Sequence, residues 1–143
     1  MWPNFLQNTT LPAVEQTIMF AERRHGLLAG NIANAGTPGY QTHDLSMDDF
    51  QSSLKEAIDS MRSAEANGSS SSKSSPDGLS KAQAMKNVRE SMKQILYHDG
   101  SDVGLETQVA EIAKNQSLHT TAVTVMRQQF QLLKMSIAGS VNV

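Results

Sequence analysis

Four histidines are the side chains in this chain whose chemistry best suits metal binding or proton transfer. They are His25, His43, His98 and His119, and none falls in a His-x-x-x-His or His-Glu-x-x-His pattern. His25 and His119 lie on two different predicted helices, and a metal site between them would still lack further ligands. The histidines therefore predict neither a metal centre nor another cofactor.

The chain also lacks the residue patterns of nucleophilic catalysis. It has no cysteine, no Gly-x-Ser-x-Gly elbow and no glycine-rich loop that cradles phosphate. Asp48 and Asp49 are adjacent carboxylates, but acids in the first turn of a helix are explained by the helix dipole. We therefore predict that the protein is not an enzyme.

Composition favours long helices over a large compact core. Of 143 residues, 38% are apolar and 5% aromatic, which suits helices that each bury one stripe. The net charge of −2 gives no support for nucleic-acid binding. No apolar run reaches the roughly 20 residues that span a bilayer, so direct membrane insertion is not expected. The N-terminus shows no secretory signal pattern, which predicts that any export uses another route.

Two stripes of apolar residues with alternating spacings of three and four predict a long helix near each end of the chain. They favour an all-α fold in which the N- and C-terminal helices pack as a coiled-coil pair, with a shorter helix and a flexible middle segment. This pair is either a hairpin within one chain or a surface completed by neighbouring subunits, and periodicity alone favours neither. The predicted helix-packing residues are Leu11, Val14, Ile18, Leu28 and Ile32 in the first helix and Leu105, Val109, Ile112, Val123, Met126, Phe130, Leu133 and Ile137 in the last.

Between the two stripes the sequence divides into shorter segments. Residues 1–46 hold the first helix and a turn, 47–63 a short helix that Ser46 caps, and 64–80 a Ser-rich flexible linker. Residues 81–101 form a variable middle segment, predicted as a helix, although Ile95 to Tyr97 also suits a short strand. The last segment, 102–143, is the C-terminal helix.

A helix end and a rigid turn follow the first stripe in quick succession. Gly36 is expected to close the helix in a left-handed conformation, and Pro38-Gly39 suits the centre of a type II turn. Asn31 and Asn34 share one face, so their amides could bond free carbonyls or a neighbouring chain. The predicted assembly motif comprises Asn31, Ala33, Asn34, Thr37, Pro38, Gly39 and Tyr40.

This motif resembles the N-terminal signature of bacterial flagellar axial proteins, in which Asn-x-Ala-Asn precedes Thr-Pro-Gly-Tyr. Three stretches are similar to the proximal-rod FlgB family of basal-body rod proteins: residues 28–40, residues 44–50, and residues 99–116 with the long helix after them. The resemblance implies a structural subunit that self-associates. Its implied partners are other flagellar rod proteins, the junction of the rod base with the MS ring, and the export apparatus.

The same resemblance implies a location in the periplasm-spanning rod of the basal body. It also implies export by the flagellar type III system without a cleaved signal peptide. An alternative is a soluble helical adaptor or flagellar export chaperone that binds partner helices through the same stripes. The Thr-Pro-Gly-Tyr string favours the rod subunit, because a general adaptor has no need of it.

Overall fold

A computed structural model describes residues 10–66, 81–92, 94–96 and 104–139. In chain order the elements are α1 (Leu11–Ala33), β1 (His43–Leu45), α2 (Met47–Ala66), α3 (Lys81–Ser91), β2 (Gln94–Leu96) and α4 (Leu105–Gly139). The predicted all-α fold, with its long N- and C-terminal helices packed together, is confirmed. In the described part of the chain, no helix is long and apolar enough to cross a membrane.

A two-stranded antiparallel sheet accompanies the helices. His43 pairs with Leu96, Asp44 with Ile95 and Leu45 with Gln94. The strand that the sequence offered as an alternative for the middle segment is therefore present, one residue earlier than expected. It follows α3 directly, so the middle segment holds both a helix and a strand.

The helix starts follow local hydrogen bonding and backbone geometry. The hydroxyl of Ser46 accepts a hydrogen bond from the Asp49 N–H at 3.1 Å, which caps α2 as the sequence predicts. Thr10 precedes α1 without a side-chain cap, and Pro in the first turn provides a fixed φ instead. The helix α2 continues to Ala66, while residues 67–80 of the predicted Ser-rich linker lie outside the described residues.

The apolar core lies where α1, α2, α3 and β1 meet. Phe20 of α1 stacks on Phe50 of α2, with ring centroids 4.2 Å apart. Val88 of α3 and Leu45 of β1 are buried beside them. This core fixes the shorter helices to one side of α1, which leaves the other side of α1 for α4.

Candidate assembly site

The turn that follows α1 has the predicted type II geometry. The Tyr40 N–H donates to the Thr37 carbonyl at 3.1 Å, and Gly39 has a φ of 78°. The expectation for Gly36 is wrong, because Gly39 is the one residue with positive φ among those the structure describes. The helix ends at Asn34 instead, whose N–H reaches the Gly30 carbonyl.

The side-chain amide of Asn31, in the last turn of α1, pairs with the backbone of β1 as a neighbouring strand would. Its side-chain Nδ2 donates to the His43 carbonyl at 2.7 Å, and its Oδ1 accepts from the His43 N–H at 3.0 Å. The same amide also bonds the Tyr40 hydroxyl and the Gln108 side chain of α4. One buried amide therefore joins α1, the turn, β1 and α4.

Asn34 lies three residues later, and its side chain bonds its own helix instead of β1. Its Nδ2 donates to the Gly30 carbonyl at 2.8 Å, so it satisfies a free carbonyl at the end of its own helix. Ala33, Thr37, Pro38 and Gly39 are exposed. Of the predicted assembly motif, the structure places Asn31 and Tyr40 inward and leaves the tip of the turn facing solvent.

A charged cluster that sequence reasoning missed lies about two helical turns before Asn31 in α1. Arg24 is buried and binds Asp44 through two hydrogen bonds, Nε to Oδ1 at 2.8 Å and Nη2 to Oδ2 at 2.6 Å. Its Nη2 also donates to Glu111 Oε2 of α4 at 2.9 Å, and Lys114 reaches the other oxygen of Glu111 at 2.6 Å. This cluster ties β1 and α4 to α1.

The same contacts set the protonation of the cluster. The hydrogen bonds with Asp44 raise the pKa of Arg24 further above its already high value, so its charge is permanent. The hydrogen bond from Lys114, followed by that from Arg24, lowers the pKa of Glu111 below its ordinary value of 4.5. Both side chains therefore carry their charges throughout the physiological pH range.

The contact between α1 and α4, here called the seam, is antiparallel and unusually polar. Gln108 meets Asn31, Asn115 donates to the Ala21 carbonyl at 2.7 Å, and Gln129 reaches Thr10. Gln108, Asn115 and Ala122 are the buried residues of α4, and they recur every seven positions. Polar residues at a fixed heptad interval thus set the register of the two helices.

The seam also contains buried polar atoms that lack a partner. Among the described residues, the side-chain oxygens of Gln16, Asn115 and Gln129 are buried and accept no hydrogen bond. An unpaired buried acceptor costs about 1–3 kcal/mol. The polar residues of the seam therefore specify the register of α1 and α4, and their unpaired oxygens lower the stability of the folded chain.

The predicted helix-packing residues differ in how far the seam buries them. In α1, Leu11 and Leu28 are buried while Val14, Ile18 and Ile32 are half-buried. In α4 the buried face is centred on Asn115, roughly 80° around the helix from the predicted apolar stripe. Within α4 of this chain, Ile112, Val123, Met126 and Leu133 are therefore half-buried, whereas Leu105, Val109, Phe130 and Ile137 are more than half exposed.

Among the described residues, the last turns of α4 expose several large apolar side chains. Gln129 is level with Thr10, so residues 130–139 extend about 15 Å past that point. Phe130, Leu132 and Met135 lie on different sides of the helix and are 53%, 61% and 61% exposed. A helix that is apolar on all sides is normally buried, so this end indicates a surface for a partner.

His25 and His119, the two histidines considered as metal ligands, lie on α1 and α4. His25 is exposed on α1, and His119 of α4 lies 4.0 Å from Glu22. Over residues 10–66, 81–92, 94–96 and 104–139, no group of three or more His, Cys, Asp or Glu side chains is arranged to hold a metal.

A curated protein resembles this chain over most of its length. The flagellar basal body rod protein FlgB of Salmonella typhimurium is 29% identical over 124 residues, which cover 82% of this chain and 84% of that protein. No family model matches the chain, and no solved structure does.

Proposed function

We propose that this chain is a structural subunit of the flagellar basal-body rod, placed in its proximal part. The observation that carries the proposal is the similarity to a rod protein across more than four fifths of both chains. In this role the chain assembles with other rod proteins into the helical shaft that transmits torque for motility. The function requires neither a cofactor nor a catalytic group.

The exposed face of α4 supports assembly as the activity of this molecule. Leu105, Val109 and Phe130 lie in the predicted apolar stripe yet remain more than half exposed, because the seam uses another face. Covering such a surface by a neighbouring subunit is favourable at about 25 cal/mol per Å² of apolar area. Head-to-tail contacts whose rotation does not close a ring generate a helical tube.

The exposed turn provides a second surface for assembly. Thr37, Pro38 and Gly39 form a rigid loop, and Tyr40 anchors it through the hydrogen bond to Asn31. A contact loop that is ordered before binding loses little conformational entropy on assembly. We place this turn, with Asn31 behind it as support, among the contacts between rod subunits.

The proposal includes the surroundings of the rod. The partners are other flagellar rod proteins, the junction of the rod base with the MS ring, and the export apparatus. The chain reaches the basal body through the flagellar type III route, without a cleaved signal peptide. Nucleic acid is not a partner, and the chain does not insert into the membrane.

Fractionation of basal bodies tests this function. A tagged full-length chain replaces the native copy in the source bacterium, and basal bodies are extracted with detergent. We expect the chain to stay with the rod, whereas an export chaperone would be lost in the soluble fraction. Recovery of the chain in the soluble fraction alone would contradict the proposal.

A point substitution separates assembly from export. Phe130→Asp introduces a charge on the exposed face of α4, so we expect normal secretion of the chain together with loss of swimming. Glu90→Gln, an equally exposed change on α3, serves as the control and should swim normally. Normal swimming of the Phe130→Asp strain would show that this face is not needed in the rod.

A further inference from the structure

The outer faces of α1 and α4, defined as the exposed sides that carry Glu15 and Glu22 on α1 and Arg127 and Lys134 on α4, have opposite charges at the same spacing. On α1, the exposed residues Glu15 and Glu22 are seven positions apart. On α4, the exposed residues Arg127 and Lys134 are also seven positions apart. Seven residues of helix span about 10.5 Å, so the two pairs of charges can face each other in register.

Among the described residues, three of these four charges have no ion-pair partner. In the described part of the molecule, Glu15, Arg127 and Lys134 make no ion pair, and Glu22 reaches only His119, at 4.0 Å. From residue 112 to the end, the sequence contains no Asp or Glu at all. The distal part of α4 therefore has a positive charge that its own helix cannot compensate.

Shape complements charge on the same two faces. At 100° per residue, Val123 and Phe130 share the face of α4 that carries the two cations. On α1 the acidic face continues into the exposed small residues Gly26, Ala29 and Ala33. Val123 and Phe130 thus form a bulky stripe on α4, and a face of small residues of similar length lies on α1.

No contact among the described residues explains why position 26 is glycine. A Cβ atom at this position would meet no atom within 4 Å, so packing among the described residues does not require glycine. Glycine inside a helix nevertheless costs about 0.5–1 kcal/mol relative to alanine. The small face of α1 is consistent with the close approach of a helix from outside the chain.

We propose that the outer face of α4 docks on the outer face of α1 in a second copy of this chain. Arg127 then lies opposite Glu22 of that copy and Lys134 opposite its Glu15, with Phe130 between the two ion pairs. The inference rests on the proposed function, because it names the faces through which rod subunits meet. Charge complementarity selects a second copy, since two α4 ends would repel each other.

The contact of Arg127 with Glu22 can only form between two chains. His119 lies beside Glu22 in the same chain, and Arg127 is eight residues further along α4. That distance is about 12 Å along the helix axis, beyond the reach of an ion pair or a disulfide.

Charge reversal with rescue tests the pairing. Sedimentation of the purified full chain is measured for Arg127→Glu/Lys134→Glu, for Glu15→Lys/Glu22→Lys, and for an equimolar mixture of the two. We expect each double variant alone to self-associate about tenfold more weakly than the wild type, and the mixture to regain wild-type affinity. A mixture as weak as its components would overturn the pairing.

A control variant on α2 repeats the same change of charge. Lys55→Glu/Arg62→Glu reverses two exposed cations that are also seven residues apart, and its self-association should equal that of the wild type. Added salt should weaken the wild-type association, because the pairs are exposed to solvent. Weakening of the α2 variant to the same degree would mean that net charge alone, and not this pairing, is at work.

Cysteine trapping tests the geometry in the assembled rod. Since the chain has no cysteine, Glu22→Cys and Arg127→Cys chains are expressed together and oxidised. We expect a disulfide-linked dimer only when both variants are present. Lack of this dimer, with the chain still recovered in basal bodies, overturns the pairing but leaves the rod function intact. Loss from basal bodies while the dimer forms contradicts the rod function instead.

A vesicle test examines the other possible partner of the cationic face, an anionic lipid surface. If the isolated chain binds anionic vesicles and does not self-associate at about 1 mM, the face binds lipid and the proposal is overturned.

Discussion

The two halves of α4 differ in what holds them and in what they expose. The N-terminal half is fixed to α1 by the polar contacts of Gln108, Glu111 and Asn115. The C-terminal half carries more apolar side chains, yet it exposes Phe130, Leu132 and Met135. The N-terminal half is thus held to its own chain by a dense set of polar contacts, whereas the C-terminal half exposes large apolar side chains beyond its contact of Gln129 with Thr10.

The two halves differ because polar contacts depend on direction, whereas apolar contacts do not. A slip of the seam by one heptad would leave Arg24 facing Leu118 in place of Glu111, so Arg24 would lose one of its two carboxylate partners. Buried polar groups therefore specify one register, whereas an apolar surface accepts many partners in many alignments. A subunit that must keep one shape and still bind neighbours gains from separating these roles along a single helix.

Removing the central charge of the seam should have the largest effect. Arg24→Met leaves Asp44 buried without its counter-ion, so we expect the free energy of unfolding to fall by about 3–5 kcal/mol. Urea denaturation of the purified chain measures this change. Arg24→Met combined with Asp44→Leu removes both charges and should recover most of the loss. If Arg24→Met unfolds at the wild-type urea concentration, the polar cluster does not hold the fold.

The two asparagines of the motif sharpen the comparison. Asn31→Ala removes an amide that bonds both backbone groups of His43, and we expect a loss of about 2–3 kcal/mol in unfolding free energy. Asn34→Ala removes one bond at an open helix end and should cost less than about 1 kcal/mol. Equal losses in thermal or urea unfolding would contradict the different roles of the two side-chain amides.

Acid should weaken the polar half in a predictable direction. The pKa of Glu111 is lower in the folded chain, so its contribution is complete above the ordinary value of 4.5 and disappears as the pH falls through the lower folded value. Glu111→Gln should therefore be less stable than the wild type at neutral pH and approach it in acid. A difference that stays constant down to strongly acidic pH would exclude this role for Glu111.

The smallest effect on stability is expected on the apolar half. Phe130→Ala should change the free energy of unfolding by less than about 0.5 kcal/mol, because the ring makes few contacts in its own chain. The matched control is Phe50→Ala, which empties part of the stacked core and should cost about 3–5 kcal/mol. Similar losses for the two phenylalanines in urea unfolding would erase the distinction between the two regions.

Local sequence signals were sufficient for most of the fold. The apolar period places α1 and α4, Ser46 marks the start of α2, and Pro38-Gly39 specifies the turn, because each depends on residues close in the chain. Gly36 shows the limit of this reasoning, since the Asn34 side chain and backbone close the helix without a left-handed residue.

The seam could not be predicted from local signals. Arg24 follows another arginine and looks like part of a solvated face, yet its partners lie 20 and 87 residues away. The face of α4 that lies against α1 differs from its apolar stripe, because α1 presents Arg24 and Asn31 there. One signal was available: Gln108, Asn115 and Gln129 recur on a heptad beside Ala122, which marks a face with a fixed polar register.

The accessibility of Leu132 in free and assembled protein tests the central claim most directly. A Leu132→Cys variant of the cysteine-free chain is treated with a maleimide, once as the purified subunit and once in isolated basal bodies. We predict rapid labelling of the free chain and strong protection in the basal body, with Lys86→Cys on α3 reporting general access to the reagent in the free subunit. Equally rapid labelling of Leu132→Cys in both states would contradict the account, because the apolar end of α4 would then remain uncovered in the rod.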